Sequence, residues 1–84
     1  SGQYMDAIPS PVITQFTAHL RNAILEKIKQ DGIDSTQYEN IGAALVFIFN
    51  GLAGLQTSSP ELAAAQLDTI ADFVEAGVKV LPKP

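Results

Sequence analysis

The chain has 84 residues, of which 46% are hydrophobic and 17% are charged, and it contains no cysteine. Nine Asp and Glu residues outnumber five Lys and Arg residues, which argues against direct contact with nucleic acid, because phosphate binding requires a positive field. A single domain of this length hides only about 60–65% of the surface of its unfolded chain, and no disulfide supplements the core. The composition therefore predicts a small folded domain that relies on a partner to cover apolar surface.

The chain is expected to consist of an N-terminal tail or expression scar at residues 1–9, one helical domain at residues 10–81 and a C-terminal tail at residues 82–84. No basic region followed by an apolar run marks a signal peptide, so we expect a cytoplasmic protein. The most apolar stretch, residues 41–55, is 15 residues long. A bilayer span needs about 20 apolar residues, so no membrane contact is expected.

The first predicted helix runs from Pro11 to Asp31. Ser10 is the predicted N-cap before a proline at the first helical position, and Gly32 is the predicted left-handed residue that ends the helix. One face of this helix is apolar at every third or fourth residue, which gives it a buried side and a wet side. The residues of this stripe are Ile13, Phe16, Leu20, Ile24 and Ile28.

The second predicted helix, from Ser35 to Gln56 with Asp34 as its cap, is apolar on nearly all sides. Nine consecutive residues from Ile41 carry no polar side chain, and a helix that is apolar all round must be covered all round. The other two helices cannot easily enclose it, so a second chain or an absent domain is expected to cover the rest. Glycine in a helix costs about 1 kcal/mol against alanine, so its glycines predict close approach of a neighbouring helix or room for a ligand. These glycines are Gly42, Gly51 and Gly54.

The third predicted helix runs from Pro60 to Leu81 and has Ser59 as its N-cap. It is amphipathic, and its polar side is predicted to be a solvated face that carries Asp68, Asp72, Glu75 and Lys79. The predicted fold is therefore all-α. It is a three-helix antiparallel unit that completes a four-helix or larger bundle by dimerisation.

The inventory of chemically reactive residues predicts a protein that is not an enzyme. One histidine and no cysteine exclude a cysteine nucleophile and a histidine-rich metal cluster. The carboxylates are expected in a turn and on a polar helix face, where none has the raised pKa that acid catalysis needs. We therefore expect no catalytic residue, no metal site and no cofactor.

Two carrier functions are minor alternatives. His19 lies in a helical segment loosely similar to the phosphoacceptor motif of sensor-kinase dimerisation helices, but no acidic residue follows it and no proline closes the motif. Asp34-Ser35 is similar to the pantetheinylation site of carrier proteins, although only a short turn separates it from the first helix. A structural role for His19 and a helix-capping role for Ser35 are preferred. Phosphotransfer at His19 and carrier function at Ser35 stay open as alternatives.

A wider similarity covers residues 10–81. A long amphipathic helix ends in a glycine turn, a highly apolar helix contains Asn50-Gly51-Leu52, and a short loop with Pro60-Glu61 leads into a last helix rich in alanine and leucine. This succession resembles the last three helices of TetR-family transcriptional regulators, in which the second helix often carries an Asp-Gly-Leu-like triplet. Those proteins bind DNA through an N-terminal helix-turn-helix. This chain has no basic recognition helix, so no direct contact with nucleic acid is expected.

The resemblance implies that the last two helices pair with their symmetry mates in a four-helix dimer bundle, while earlier helices surround an effector pocket. The residues implied for the interface are Leu45, Phe49, Leu52, Leu67, Ile70, Val74 and Val78. Those implied for a ligand pocket are Phe16, Leu20 and Phe47.

The leading hypothesis is a non-enzymatic helical module that forms a homodimer, with the ligand-sensing core of a transcriptional regulator as its implied function. The alternative is a docking or adaptor domain that binds a different protein through the same apolar helix. Both predict an uncovered apolar surface in the isolated chain, and they differ in whether the purified chain self-associates.

Overall fold

The computed structural model describes residues 6–57 and 59–84, and within them the chain forms three α-helices, as predicted. Helix α1 comprises Ser10–Gln30, α2 comprises Tyr38–Gly54 and α3 comprises Pro60–Lys79, with a single 3₁₀ turn at Ser35–Gln37 before α2. Two short strands, β1 (Asp6–Ala7) and β2 (Gln56–Thr57), pair in antiparallel fashion ahead of α1 and ahead of α3. No helix in the described ranges is long and apolar enough to cross a membrane.

The start of α1 differs from the prediction by one residue. Pro9, in an extended conformation with ψ 141°, occupies the N-cap position, and the side chain of Ser10 makes no capping hydrogen bond. The carbonyl of Pro9 instead accepts hydrogen bonds from the amides of Val12 and Ile13, at 3.0 and 3.2 Å. The start of α3 is as predicted, because Ser59 Oγ accepts from the amide of Leu62 at 3.2 Å.

Helix α2 is shorter than predicted at both ends. Asp34 caps the 3₁₀ turn by accepting from the amide of Thr36 at 3.4 Å and from its hydroxyl at 2.9 Å, and the α-helix begins only after this turn. Its C-terminal end comes at Gly54 because Leu55 adopts an extended conformation with ψ 129°, which directs Gln56 into β2.

The turn after α1 is fixed by Gly32, which has the predicted left-handed conformation with φ +73°. Its amide donates to the carbonyls of Lys27 and Ile28, both at 3.1 Å, and so satisfies the last turn of the helix. The predicted C-terminal tail packs on this turn, since the amide of Asp34 donates to the carbonyl of Pro82 at 2.9 Å. A Cβ atom at position 32 would lie 2.9 Å from Cγ of Pro84.

The core lies between α1 and α3. Its buried side chains include two alanines of α3, which are nearly without solvent exposure and let the two helices approach closely. The cluster consists of Ile8, Phe16, Leu20, Ala63, Leu67 and Ala71. Ile8 belongs to the segment predicted as an N-terminal tail, so that segment also contributes to the core.

The order of the helices makes α1 and α3 parallel and α2 antiparallel to both. The side chain of Lys27, near the end of α1, reaches the carbonyl of Lys79 at the end of α3. Ala44 of α2 faces the same cleft as Gly77, near the end of α3. Helix α2 thus lies along the α1–α3 pair, and its inward residues pack on the core while remaining partly exposed.

Candidate functional site

Helix α2 is the least covered of the three α-helices. All 17 of its residues are described, and none is buried. Its inward row, Ile41, Leu45, Ile48 and Leu52, is half-buried. The outward side is solvent-exposed, and Phe47 is 83% exposed. An isolated phenylalanine on a surface is ordinary, but α2 has almost no charge and no buried residue, so its apolar surface is exposed along the whole helix.

The residues implied for the interface occupy three kinds of environment. Leu67 and Val78 are buried inside the chain, so they are part of its own core. A second group is half-buried and packs on that core: Leu45, Leu52 and Val74. Phe49 and Ile70 are exposed, although the Phe49 ring also contacts Phe16 edge-on, with centroids 6.5 Å apart.

The structure does not bring together the three residues implied for a ligand pocket. Phe16 and Leu20 are buried between the helices, whereas Phe47 is directed to solvent on the other side of α2. Leu20 lines an apolar cleft of about 320 Å³ between α1 and α2, together with Leu45 and Phe49. Phe16 lies beside a much smaller depression of about 30 Å³ between α1 and α3.

A second apolar cleft, of about 280 Å³, runs between α2 and α3. Asn40 and Ala44 line it from α2, and Gly77 lines it from α3. Helical spacing extends the α2 side of this cleft to Phe47 and the α3 side to Phe73, at steps of three or four residues. We define the α2–α3 face as the exposed residues in these two rows: Asn40, Ala44, Phe47 and Gly51 with Ile70, Phe73, Gly77 and Val80.

The helical glycines make no close helix contact within the described chain. A Cβ atom at Gly42, Gly51 or Gly54 would meet no heavy atom within 4 Å. The predicted close approach of a neighbouring helix is therefore not made by α1 or α3. Space at these positions is open to a partner.

The single histidine, His19, lies on α1 and faces the flank of α3 that is opposite the α2–α3 face. Nε2 of His19 lies 3.8 Å from Oε1 of Glu75. A ligand atom of Asp72 joins them, and these atoms of the three side chains lie within 4.8 Å of one another. The predicted solvated face thus includes one half-buried carboxylate that faces a histidine. These residues could hold a metal ion, which the sequence did not predict because the histidine and the carboxylates lie far apart along the chain.

A buried lysine joins the ends of α1 and α3. Lys27 is 6% exposed, and its ammonium donates to Oδ2 of Asp31 at 3.1 Å and to the carbonyl of Lys79 at 3.2 Å. The hydrogen bond from Lys27 lowers the pKa of Asp31 below its ordinary value of 3.8, and the charge of Lys83 lowers this pKa further. Because the folded carboxyl has the lower pKa, its stabilising effect is complete above the unfolded pKa and is lost as the pH falls through the folded pKa.

Replacing Lys27 by methionine tests this junction, because methionine keeps an apolar stem and removes the ammonium. We expect the free energy of unfolding at neutral pH to fall by about 1–2 kcal/mol, from the lost hydrogen bond to Lys79. The difference from wild type is expected to narrow at an acid pH below the folded pKa of Asp31, because protonation of this carboxyl ends its ion pair with Lys27. Urea unfolding at both pH values measures this, with exposed Lys29→Met as control. Equal losses in the two variants would contradict the assignment.

Comparisons with known proteins identify no relative of this chain. No protein-family model, curated protein or solved structure matches this chain.

Proposed function

We propose that this chain is a non-catalytic helical self-association module, in which the α2–α3 face of one copy packs on the same face of a second copy. The observation that carries the proposal is the exposure of two phenylalanines beside one apolar cleft. Phe47 is 83% exposed and Phe73 is 73% exposed. Burying a phenylalanine side chain contributes about 1.5–3 kcal/mol, so covering both rings on both copies is a strong driving force.

The antiparallel course of α2 and α3 places these rings at a similar height. Ala44 and Gly77 line the same cleft. Moving three residues forward along α2 reaches Phe47, and moving four residues back along α3 reaches Phe73. Both steps go in the same direction in space, because the helices are antiparallel. The two rings therefore border one continuous surface.

The charge distribution favours a second copy as the occupant. No residue of the α2–α3 face is charged, whereas the acidic residues Asp68, Asp72 and Glu75 lie on the opposite flank of α3. A dimer with two-fold symmetry brings identical patches together, which is costly when the patch carries net charge. The chain carries a net charge of −4, yet this face contributes none of it.

The shape of the α2–α3 face is suited to pairing with the same face of a second copy. Phe47 and Phe73 project from it, while Gly51 and Gly77 leave open space at which a Cβ would meet nothing within 4 Å. Two-fold pairing lets the rings of one copy enter the hollows of the other. This use of glycine offsets its cost of about 1 kcal/mol per residue in a helix.

The proposal keeps the helix pairing that the TetR resemblance implies, namely the last two helices of each chain in a four-helix bundle, but assigns it mainly to different residues. A regulatory role through a bound effector stays a prediction. The docking alternative uses the same face with a different protein as the occupant, and the experiment below distinguishes the two.

A single introduced cysteine tests the pairing directly, because the chain has no cysteine of its own. We expect Gly51→Cys to give a covalent dimer with a short bismaleimide reagent, since the position lies on the proposed interface close to its own copy. The matched control is Asn22→Cys on the exposed side of α1. Denaturing electrophoresis measures the yield. Absence of dimer at position 51, or equal yields at both positions, would contradict self-association through this face, and a monomeric product would favour the docking alternative.

A further inference from the structure

We propose that His19, Asp72 and Glu75 form a binding site for a divalent transition-metal ion of the zinc type. His19 extends from α1, and the two carboxylates occupy positions i and i+3 of α3, so the site would join two helices that already pack together. Nε2 of His19 and Oε1 of Glu75 are 3.8 Å apart, and the three ligand atoms lie within 4.8 Å of one another.

These separations are close to those of an occupied site. Ligand atoms at about 2.1 Å from a tetrahedral zinc ion are about 3.4 Å from each other. No separation in the cluster thus has to close by more than about 1.4 Å, which a change of side-chain rotamer provides. The side chains of His19 and Glu75 are 35% and 40% exposed, which leaves them room to move. The helix backbones beneath them are held by the buried Ala23 and Ala71.

The surrounding charge favours a cation. The concavity beside His19 has a volume of about 490 Å³, is also lined by Glu26, Asp68 and Glu75, and has no Lys or Arg among its lining residues. Within the described part of the chain, neither Asp68 nor Asp72 makes a side-chain ion pair or hydrogen bond. Lys27 and Lys79 line the adjoining concavity that Glu26 and Glu75 share, so the negative charge left uncompensated by the protein is that of Asp68 and Asp72.

The donor set selects the class of ion. An imidazole nitrogen with two carboxylates suits zinc, cobalt or nickel better than magnesium or calcium, which prefer oxygen ligands alone. Two carboxylates also neutralise the charge of a divalent ion. Three protein ligands leave a fourth position for water, as in open zinc sites.

Calorimetric titration of the full chain with zinc chloride tests the proposal. We expect saturable binding of one zinc ion per chain, and a loss of affinity of at least about tenfold in His19→Ala and in Asp72→Asn. The control is Glu26→Gln, which removes the same charge from the same concavity without removing a ligand, and its affinity is expected to change less than about threefold. Because His19 is the only histidine, its imidazole proton signals are expected to shift with zinc in wild type.

Three results would overturn the proposal. They are the absence of saturable zinc binding, equal affinity in wild type and His19→Ala, and magnesium binding as tight as zinc binding. Circular dichroism checks that each variant keeps its helices, and the exposed Asp72 supplies a second variant if His19→Ala does not fold. The cluster lies on the flank of α3 away from Phe73, so zinc binding and self-association are independent proposals. Light scattering, which measures the solution mass with and without zinc, tests this independence.

Discussion

Replacing Leu67 by alanine is expected to remove a large share of the free energy of unfolding of this chain. Leu67 is 1% exposed and belongs to the core between α1 and α3. Leucine-to-alanine changes at such sites cost about 3–5 kcal/mol, because the lost burial is joined by the cost of a cavity. The total stability expected for 84 residues is about 4–13 kcal/mol, so this single change removes a large share of it.

Thermal unfolding followed by circular dichroism measures this effect. The melting temperature is expected to fall by about 12–40 °C, since each 1 kcal/mol shifts it by about 4–8 °C in a domain of this size. The control is Leu25→Ala on α1, where the leucine is 55% exposed and its loss is expected to change stability little. Equal shifts in the two variants would show that the core is not between α1 and α3.

Replacing Phe47 by aspartate is expected to convert the self-associated chain into a monomer that keeps its three helices. Phe47 contributes little to the packing of its own chain, because its side chain is 83% exposed. In the proposed dimer, each copy would bury a carboxylate in an apolar interface without a partner, which costs several kcal/mol. We therefore expect the dissociation constant to rise by at least about a hundredfold, or about 2.7 kcal/mol.

Sedimentation velocity and far-ultraviolet circular dichroism separate loss of association from loss of folding. Leu25→Asp is the matched control, because it introduces the same charge at another exposed apolar side chain, beside the α1–α2 cleft. It is expected to leave association unchanged. If Leu25→Asp dissociates the chain while Phe47→Asp does not, the interface lies on the α1–α2 side of the molecule and the proposed face is incorrect.

Local sequence signals were sufficient to predict the helices. Ser59 before Pro60 gives the start of α3, and Gly32 gives the turn after α1, because each acts through its own backbone conformation and nearest amides. The error at the end of α2 lies where a distant segment competes with the helix. Pairing with Asp6–Ala7 takes Gln56 into β2 and leaves α2 shorter than its apolar sequence indicated.

The exposed side of α2 was less predictable, because a helix that is apolar all round has no polar row to mark the side that faces solvent. Leu45 and Leu52, which the TetR resemblance implies for the interface, pack on the core of their own chain and are half-buried, whereas Phe47 is 83% exposed. The cluster of His19, Asp72 and Glu75 was also not predictable from the sequence, because it forms only in the tertiary structure. The parallel register of α1 and α3 brings His19 to Glu75, which lies 56 residues later in the chain, and no local motif encodes that register.

The solution mass of the unmodified chain tests self-association most directly. Multi-angle light scattering across an approximately hundredfold concentration range distinguishes a dimer from a monomer, because binding that buries two phenylalanines per copy persists on dilution into the micromolar range. The proposed face predicts twice the chain mass of 8.9 kDa, with a decrease only at the lowest concentrations. A mass of 8.9 kDa at every concentration would contradict self-association and assign the exposed face of α2 and α3 to a different protein.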